Sequence, residues 1–261
     1  MTPTTFAAVS IVFAFLLTMP VYAVVGRGRP IDADVARRPT TPLLGLWVRD
    51  WLMWLIAPVE RGLVRVGVSP DTLNYAGGAF GLAAGLAYAN GTIALGGAFV
   101  LLGGIADVLD GRVARARGMS NDYGEFLDSI IDRFSEMFVF MGLALYFEPS
   151  PMSMLITVGA LGGAMMVSYS RAKGAAVGVD CKGGVMQRAE RLVLLAAASL
   201  LDNPICDYLG WPDSAVLISA VTVIGAGSVG TAVWRSVVIA KALRARTEKG
   251  DAQRGSGDAS E

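Results

Sequence analysis

The sequence predicts an all-α, polytopic membrane helix bundle with six core transmembrane helices, an interfacial helix and an extra N-terminal anchor helix. Three observations lead there. The 261 residues are 54% hydrophobic and only 17% charged, with 32 glycines, a composition suited to helices that pack closely in lipid. Apolar runs recur at residues 6–25, 73–89, 93–105, 134–147, 152–167, 192–201 and 215–233. Lysine and arginine are segregated: the turns at 90–92, 148–151 and 202–213 have none, whereas residues 27–65, 112–117, 171–191 and the stretch from Lys241 hold many. Positive charge marks the cytoplasmic side. We expect an integral protein of the plasma (inner) membrane whose active face opens to the cytoplasm.

Each element follows from local signals. Residues 1–26 form the expected transmembrane anchor. They lack a positively charged leading region, and Arg27 and Arg29 follow the apolar run, which favours a retained helix over a cleaved signal. Residues 27–42, rich in Arg and Pro, read as a linker. In residues 43–66, Trp47, Trp51 and Trp54 share a helical face opposite Arg49 and Glu60, as in an amphipathic helix lying along the cytoplasmic interface. Pro58 is expected to bend it. Residues 67–245 hold the six-helix domain, opened by Ser69-Pro70-Asp71 as a helix start.

Several apolar runs are shorter than the roughly 20 residues a span needs. They reach that length only if polar residues are counted into their cytoplasmic ends, as expected where such residues line a cavity. Gly77, Gly81 and Gly85 form a stripe for close helix approach, and Gly159 and Gly163 repeat it. Residues 246–261 are polar, rich in small residues and expected to be disordered. Cys181 and Cys206 fall on opposite sides of the membrane, so neither a disulfide nor a zinc site is expected.

The chemistry concentrates between Asp107 and Asp132. Asp107 and Asp110 lie one helical turn apart, as do Asp128 and Asp132, and Gly111, Arg115 and Gly124 stand at fixed distances between them. Two helices joined by a short turn bring the four carboxylates together. Such a cluster needs compensating charge, and an all-oxygen site selects a hard divalent ion. The chain has no histidine, which excludes Ser-His and Cys-His nucleophiles and a histidine base. Three aspartates and a shared fourth suffice for two ions, an arrangement suited to phosphoryl transfer. Two other classes use membrane carboxylates: an intramembrane aspartyl protease, built on two aspartates that share a proton, and a cation transporter.

The spacing Asp107-x2-Asp110-Gly111-x2-Ala114-Arg115-x8-Gly124-x3-Asp128-x3-Asp132 resembles the signature of the CDP-alcohol phosphotransferase family at every defined position. The resemblance implies a homodimeric membrane enzyme in which an alcohol attacks the β-phosphorus of a CDP-linked lipid, CDP-diacylglycerol, and CMP leaves. It implies Asp107, Asp110, Asp128 and Asp132 as ligands of Mg²⁺ (or Mn²⁺), with Asp132 also the general base. Asp71, Asn74, Asp107, Gly111 and Arg115 would bind the CDP-lipid: Asp71 and Asn74 at the cytidine base, Gly111 by close backbone approach, Arg115 at phosphate. No nucleic-acid partner is expected.

The acceptor is read from a second group. Ser168-Tyr169-Ser170-Arg171-Ala172-Lys173 is followed by Arg188-Ala189-Glu190-Arg191, and Arg235 lies near the cytoplasmic end of the last helix. Arginines near lipid call for anions, and a phosphorylated polar alcohol would supply one. The pattern resembles the phosphatidylinositol-phosphate synthase branch, which implies inositol 1-phosphate held by Ser168, Arg171, Arg191 and Arg235, with Arg188 in the same basic cluster. Gln187 and Ala189 depart from the branch's Glu and Pro. Glycerol 3-phosphate, serine or another polar alcohol stays open as acceptor, and the positive-inside rule alone also accounts for arginines here.

Overall fold

Short punctuating residues set the helix boundaries. A computed structural model of the chain describes residues 17–26, 29–36 and 45–257. After helical residues 17–25 and a single turn at Ala33–Ala36 come seven long helices: α1 (Leu46–Val66), α2 (Pro70–Ala89), α3 (Ile93–Ala116), α4 (Asp122–Tyr146), α5 (Pro151–Ala176), α6 (Arg188–Leu209) and α7 (Ala215–Gly257). No strand occurs among the described residues. Ser69 caps α2 by accepting from the Thr72 N–H, with Pro70 in the first turn, as expected. Asn121 caps α4 by accepting from the Gly124 N–H at 2.8 Å, which gives the motif glycine a place in the turn. Gly67 and Gly210 end α1 and α6 in the left-handed region, at φ 81° and 63°, where side chains are strained.

Four helices, α3, α5, α6 and α7, are long and apolar enough to cross a membrane by length and composition. The other two core helices, α2 and α4, fall outside that group. In α4 the reason is visible: Asp128, Asp132, Arg133 and Glu136 all lie on it. These residues turn inward, and α4 packs against α2 and α5 while α6 packs against α3 and α7. Ala84, Tyr88, Phe140, Leu143, Leu217, Val221 and Ile224 fill the core between them. Inside it, the Tyr88 and Ser199 hydroxyls hydrogen-bond at 2.7 Å, which spares both polar atoms an unpaired burial.

Glycine sets the closest crossing. A Cβ at Gly85 would lie 2.3 Å from the Phe138 carbonyl oxygen, and one at Gly142 would lie 2.0 Å from that of Gly85. The α2 and α4 backbones therefore touch there. The expected stripe is unequal in its work: Gly163 contacts α7, whereas nothing lies within 4 Å of a Cβ at Gly159.

Three expectations concern the chain ends. The anchor is described only from residue 17, so most of residues 1–26 lies outside the described residues, as do 37–44 of the linker. The tryptophan face of α1 is partly covered by protein, with Trp47 still exposed. Trp51 is buried and donates from Nε1 to Thr18 Oγ1 at 2.9 Å, and Trp47 and Trp54 both pack on the Tyr22 ring. At the other end, helix continues from 246 to Gly257 where disorder was expected. Arg246 donates to the Val177 and Gly178 carbonyls, and the segment holds several good helix formers.

Replacing Gly85 with Ala should destabilise the bundle by about 1–3 kcal/mol, because backbone must move to admit one methyl group. Gly159→Ala should leave the unfolding temperature in detergent unchanged or slightly raised. Equal effects at the two positions would contradict the close α2–α4 contact.

Candidate active site

The hairpin α3–α4 brings the four aspartates to one end of the bundle. Asp107 and Asp110 project from α3, and Asp128 and Asp132 from α4. One carboxylate oxygen from each of Asp107, Asp110 and Asp128 lies within 4.8 Å of the others, close enough to hold a metal ion together. Asp110 Oδ2 and Asp128 Oδ1 are buried without a hydrogen-bond donor. Two orphaned, buried acceptor atoms beside a third carboxylate fit a bound hard cation, since burial without a partner is costly. The donor set is all oxygen, which suits Mg²⁺ or Mn²⁺.

Arg188, the first residue of α6, crosses this cluster. Its guanidinium donates to Asp107 Oδ1 at 2.8 Å and to Asp132 Oδ1 at 2.6 Å. The sequence had grouped Arg188 with the acceptor arginines. The fold instead turns it toward the aspartates, because the N-terminus of α6 abuts α3. Arg188 thus bridges Asp132 to Asp107, one of the three grouped carboxylates.

Below the aspartates lies a narrow cavity of about 30 Å³, lined among others by Asn74, Asp107, Asp110, Asp132, Glu136 and Arg191. Asn74, buried near the start of α2, lies in the wall of this cavity. Asp71, one turn earlier, is half-buried and outside the cavity wall. Gly111 and Arg115 lie together: the Arg115 Nη1 sits 3.1 Å from where a Gly111 Cβ would be. The motif glycine thus leaves room for the guanidinium one turn on.

The acceptor group divides. Arg171 is exposed and Ser168 half-buried on α5. Arg235 is buried and donates to the Gly183 and Val167 carbonyls, both at 2.8 Å, with Arg171 and Arg191 as its charged neighbours. Arg191 is only 2% exposed and pairs two-pronged with Glu136, Nε to Oε1 at 2.7 Å and Nη2 to Oε2 at 3.0 Å. Arg191, expected at the acceptor's phosphate, thus already has a partner for its charge in Glu136. The sequence reading missed Glu136, although its spacing of four from Asp132 continues the Asp128–Asp132 face. It also missed the Arg49–Glu190 pair at 3.3 Å, which ties α1 to the fully buried Glu190 beside Arg191.

Comparison with known proteins agrees with this architecture. Residues 68–234 match the family described as CDP-alcohol phosphatidyltransferase. The chain is 30% identical over 246 residues to a phosphatidylinositol phosphate synthase of Streptomyces avermitilis, covering 91% of this chain and 98% of that one. It is 34% identical over 159 residues to an archaetidylinositol phosphate synthase of Methanothermobacter thermautotrophicus, covering 60% and 77%. The crystal structure of a Mycobacterium tuberculosis phosphatidylinositol phosphate synthase with CDP-DAG bound superposes with a TM-score of 0.60 at 29% identity, over 70% of this chain and 92% of that one. The same enzyme with manganese and citrate gives 0.62 over 70% and 87%.

Arg188 and a divalent ion are rival counter-charges for the same carboxylates. Arg188→Gln should lower the unfolding temperature in chelator, where the aspartates lose their cation, and added Mn²⁺ should recover more of it than in the unsubstituted protein. An unfolding temperature in chelator equal to that of the unsubstituted protein would show that the arginine does not balance the cluster.

Proposed function

The chain belongs to the CDP-alcohol phosphatidyltransferase family, and on that premise we propose that it transfers a phosphatidyl group from CDP-diacylglycerol to inositol 1-phosphate, releasing CMP. The observation that carries the reading is the carboxylate group of Asp107, Asp110 and Asp128, with unpartnered buried oxygens on Asp110 and Asp128, beside Asp132. These residues would hold divalent ions, with Asp132 shared, and bound ions supply charge neutralisation at the phosphates. The protease and transporter alternatives give no role to Gly111 and Arg115, which sit together beside the aspartates in sequence and in space.

In this reading Asn74 and Asp71 contact the cytidine base, Gly111 admits the nucleotide backbone-on, and Arg115 pairs with phosphate. Asp132 accepts the proton from the acceptor hydroxyl. The freed oxygen forms a bond to the β-phosphorus, the bond from that phosphorus to the CMP oxygen breaks, and CMP departs with the electron pair. Exposed Arg171 offers the acceptor's phosphate a charged fork, supported by Ser168 and the neighbouring Arg235. Arg191 belongs to the same cluster, with Glu136 balancing its charge. The inositol phosphate products named for the Streptomyces and archaeal relatives support this acceptor over glycerol 3-phosphate or serine. Residues 67–245 would form the catalytic domain of a homodimer in the plasma membrane, its site facing the cytoplasm where charge is concentrated.

The decisive assay supplies labelled CDP-diacylglycerol with a panel of acceptors. Inositol 1-phosphate should be used, free inositol should be poor, and EDTA should abolish turnover. Free inositol or serine consumed as well as any phosphorylated acceptor would overturn the substrate assignment. Arg171→Ala should raise KM for inositol 1-phosphate about ten- to hundredfold with KM for CDP-lipid unchanged, the scale of one lost charged hydrogen bond. Arg171 is the clean choice, because removing Arg191 strands buried Glu136 and costs stability of its own.

Asp132→Asn should bind CDP-lipid nearly as before while losing on the order of 10²-fold or more in kcat. Equal losses of affinity and rate would make Asp132 a ligand alone.

A further inference from the structure

Arg112 follows Gly111 in the aspartate motif but points away from it. Two residues past Asp110 is about 200° around a helix, so its side chain leaves the far side of α3. There its Nε donates to Glu60 of α1 at 2.5 Å and its Nη1 to Asp32 at 3.0 Å. The three side chains are each no more than a quarter exposed, so the pairing is poorly screened. Asp32 belongs to the segment before α1, and that segment is fixed in turn. Its backbone N–H donates to Asp50 Oδ1 at 2.7 Å, the Tyr22 hydroxyl donates to the other Asp50 oxygen, and Trp51 donates to Thr18. Tyr22 and Val35 are buried. Thr18, Tyr22 and Asp32 thus register on α1, and Asp32 reaches across it to the back of α3.

The geometry points to Arg112 as a positioning residue: Asp32 and Glu60 clamp the back of α3, and through it the N-terminal segment fixes how Asp107 and Asp110 face the divalent ion. This rests on the reading that Asp107, Asp110 and Asp128 hold that ion. The lever is simple. A carboxylate stands roughly 6 Å from its helix axis, so a turn of α3 by about 10° carries it about 1 Å. A displacement of that size can cost on the order of 10²-fold in rate. Neither Asp32 nor Glu60 lines the cavity, so their influence travels through the helix.

Mn²⁺ binding by electron paramagnetic resonance, on the full chain in detergent, tests this alongside kcat. Asp32→Asn should weaken Mn²⁺ binding about five- to tenfold and lower kcat at saturating Mn²⁺ by at least as much. Asp32→Glu should recover both to within about twofold, because it restores the charge. A segment that only stabilises the fold would lower the unfolding temperature and leave Mn²⁺ affinity unmoved. Glu60→Gln attacks the same guanidinium from α1 and should act in the same direction, so a folding failure of one variant leaves the other to decide. Asp128→Asn serves as control. If it loses Mn²⁺ while Asp32→Asn and Glu60→Gln bind normally, the clamp is wrong and the metal site stands. If Asp128→Asn binds Mn²⁺ normally, the metal reading fails and the clamp falls with it.

Discussion

Four carboxylates gathered on one helical hairpin inside an apolar bundle are the constraint on which the rest of this structure depends. Like charges at this spacing in a weakly polarisable surrounding repel strongly. The protein meets the repulsion with geometry as well as with charge. Arg188 spans Asp107 and Asp132 from the start of α6, which pins α6 against α3 at the end where the chemistry would occur. Asp110 and Asp128 are left with unpaired oxygens, the position at which a small, hard cation is most favourable.

The same logic spreads outward through paired charges. Glu136 extends the carboxylate face of α4 by one more turn and receives Arg191. Glu190, next to Arg191, receives Arg49 from α1. On the far side of α3, Arg112 is held by Glu60 and Asp32. α1 therefore ties both to α3, which carries Asp107 and Asp110, and to α6, which carries Arg188. A buried pair of this kind adds little net stability over an apolar one, but breaking it is costly. Its value here is orientation.

Backbone contact supplies the rigidity that this orientation needs. Gly85 and Gly142 bring α2 and α4 into main-chain contact, so α4 cannot slide without a clash, and Asn74 on α2 keeps its place beside the aspartates. In lipid, where no hydrophobic gain drives helices together, such close packing is a principal source of association.

The sequence by itself determined the all-helical class, the helix start at Ser69, and the meeting of Asp107, Asp110 and Asp128. These depend on interactions within a few residues: a cap, a turn, a spacing of three or four along one helix. The tertiary structure decided which charge meets which. Arg188 read as an acceptor residue until the fold turned it onto Asp107 and Asp132. Arg191 read as a partner for the acceptor's phosphate, and the fold brings Glu136, 55 residues earlier, onto it. The tryptophan face of α1 read as the surface of an interfacial helix, and the fold packs Tyr22 on Trp47 and Trp54. Each of these outcomes depends on the distance between elements far apart in the chain. A side chain's partner is set by how helices cross, and the crossing is fixed only when the glycines, the core and the buried charges are satisfied together.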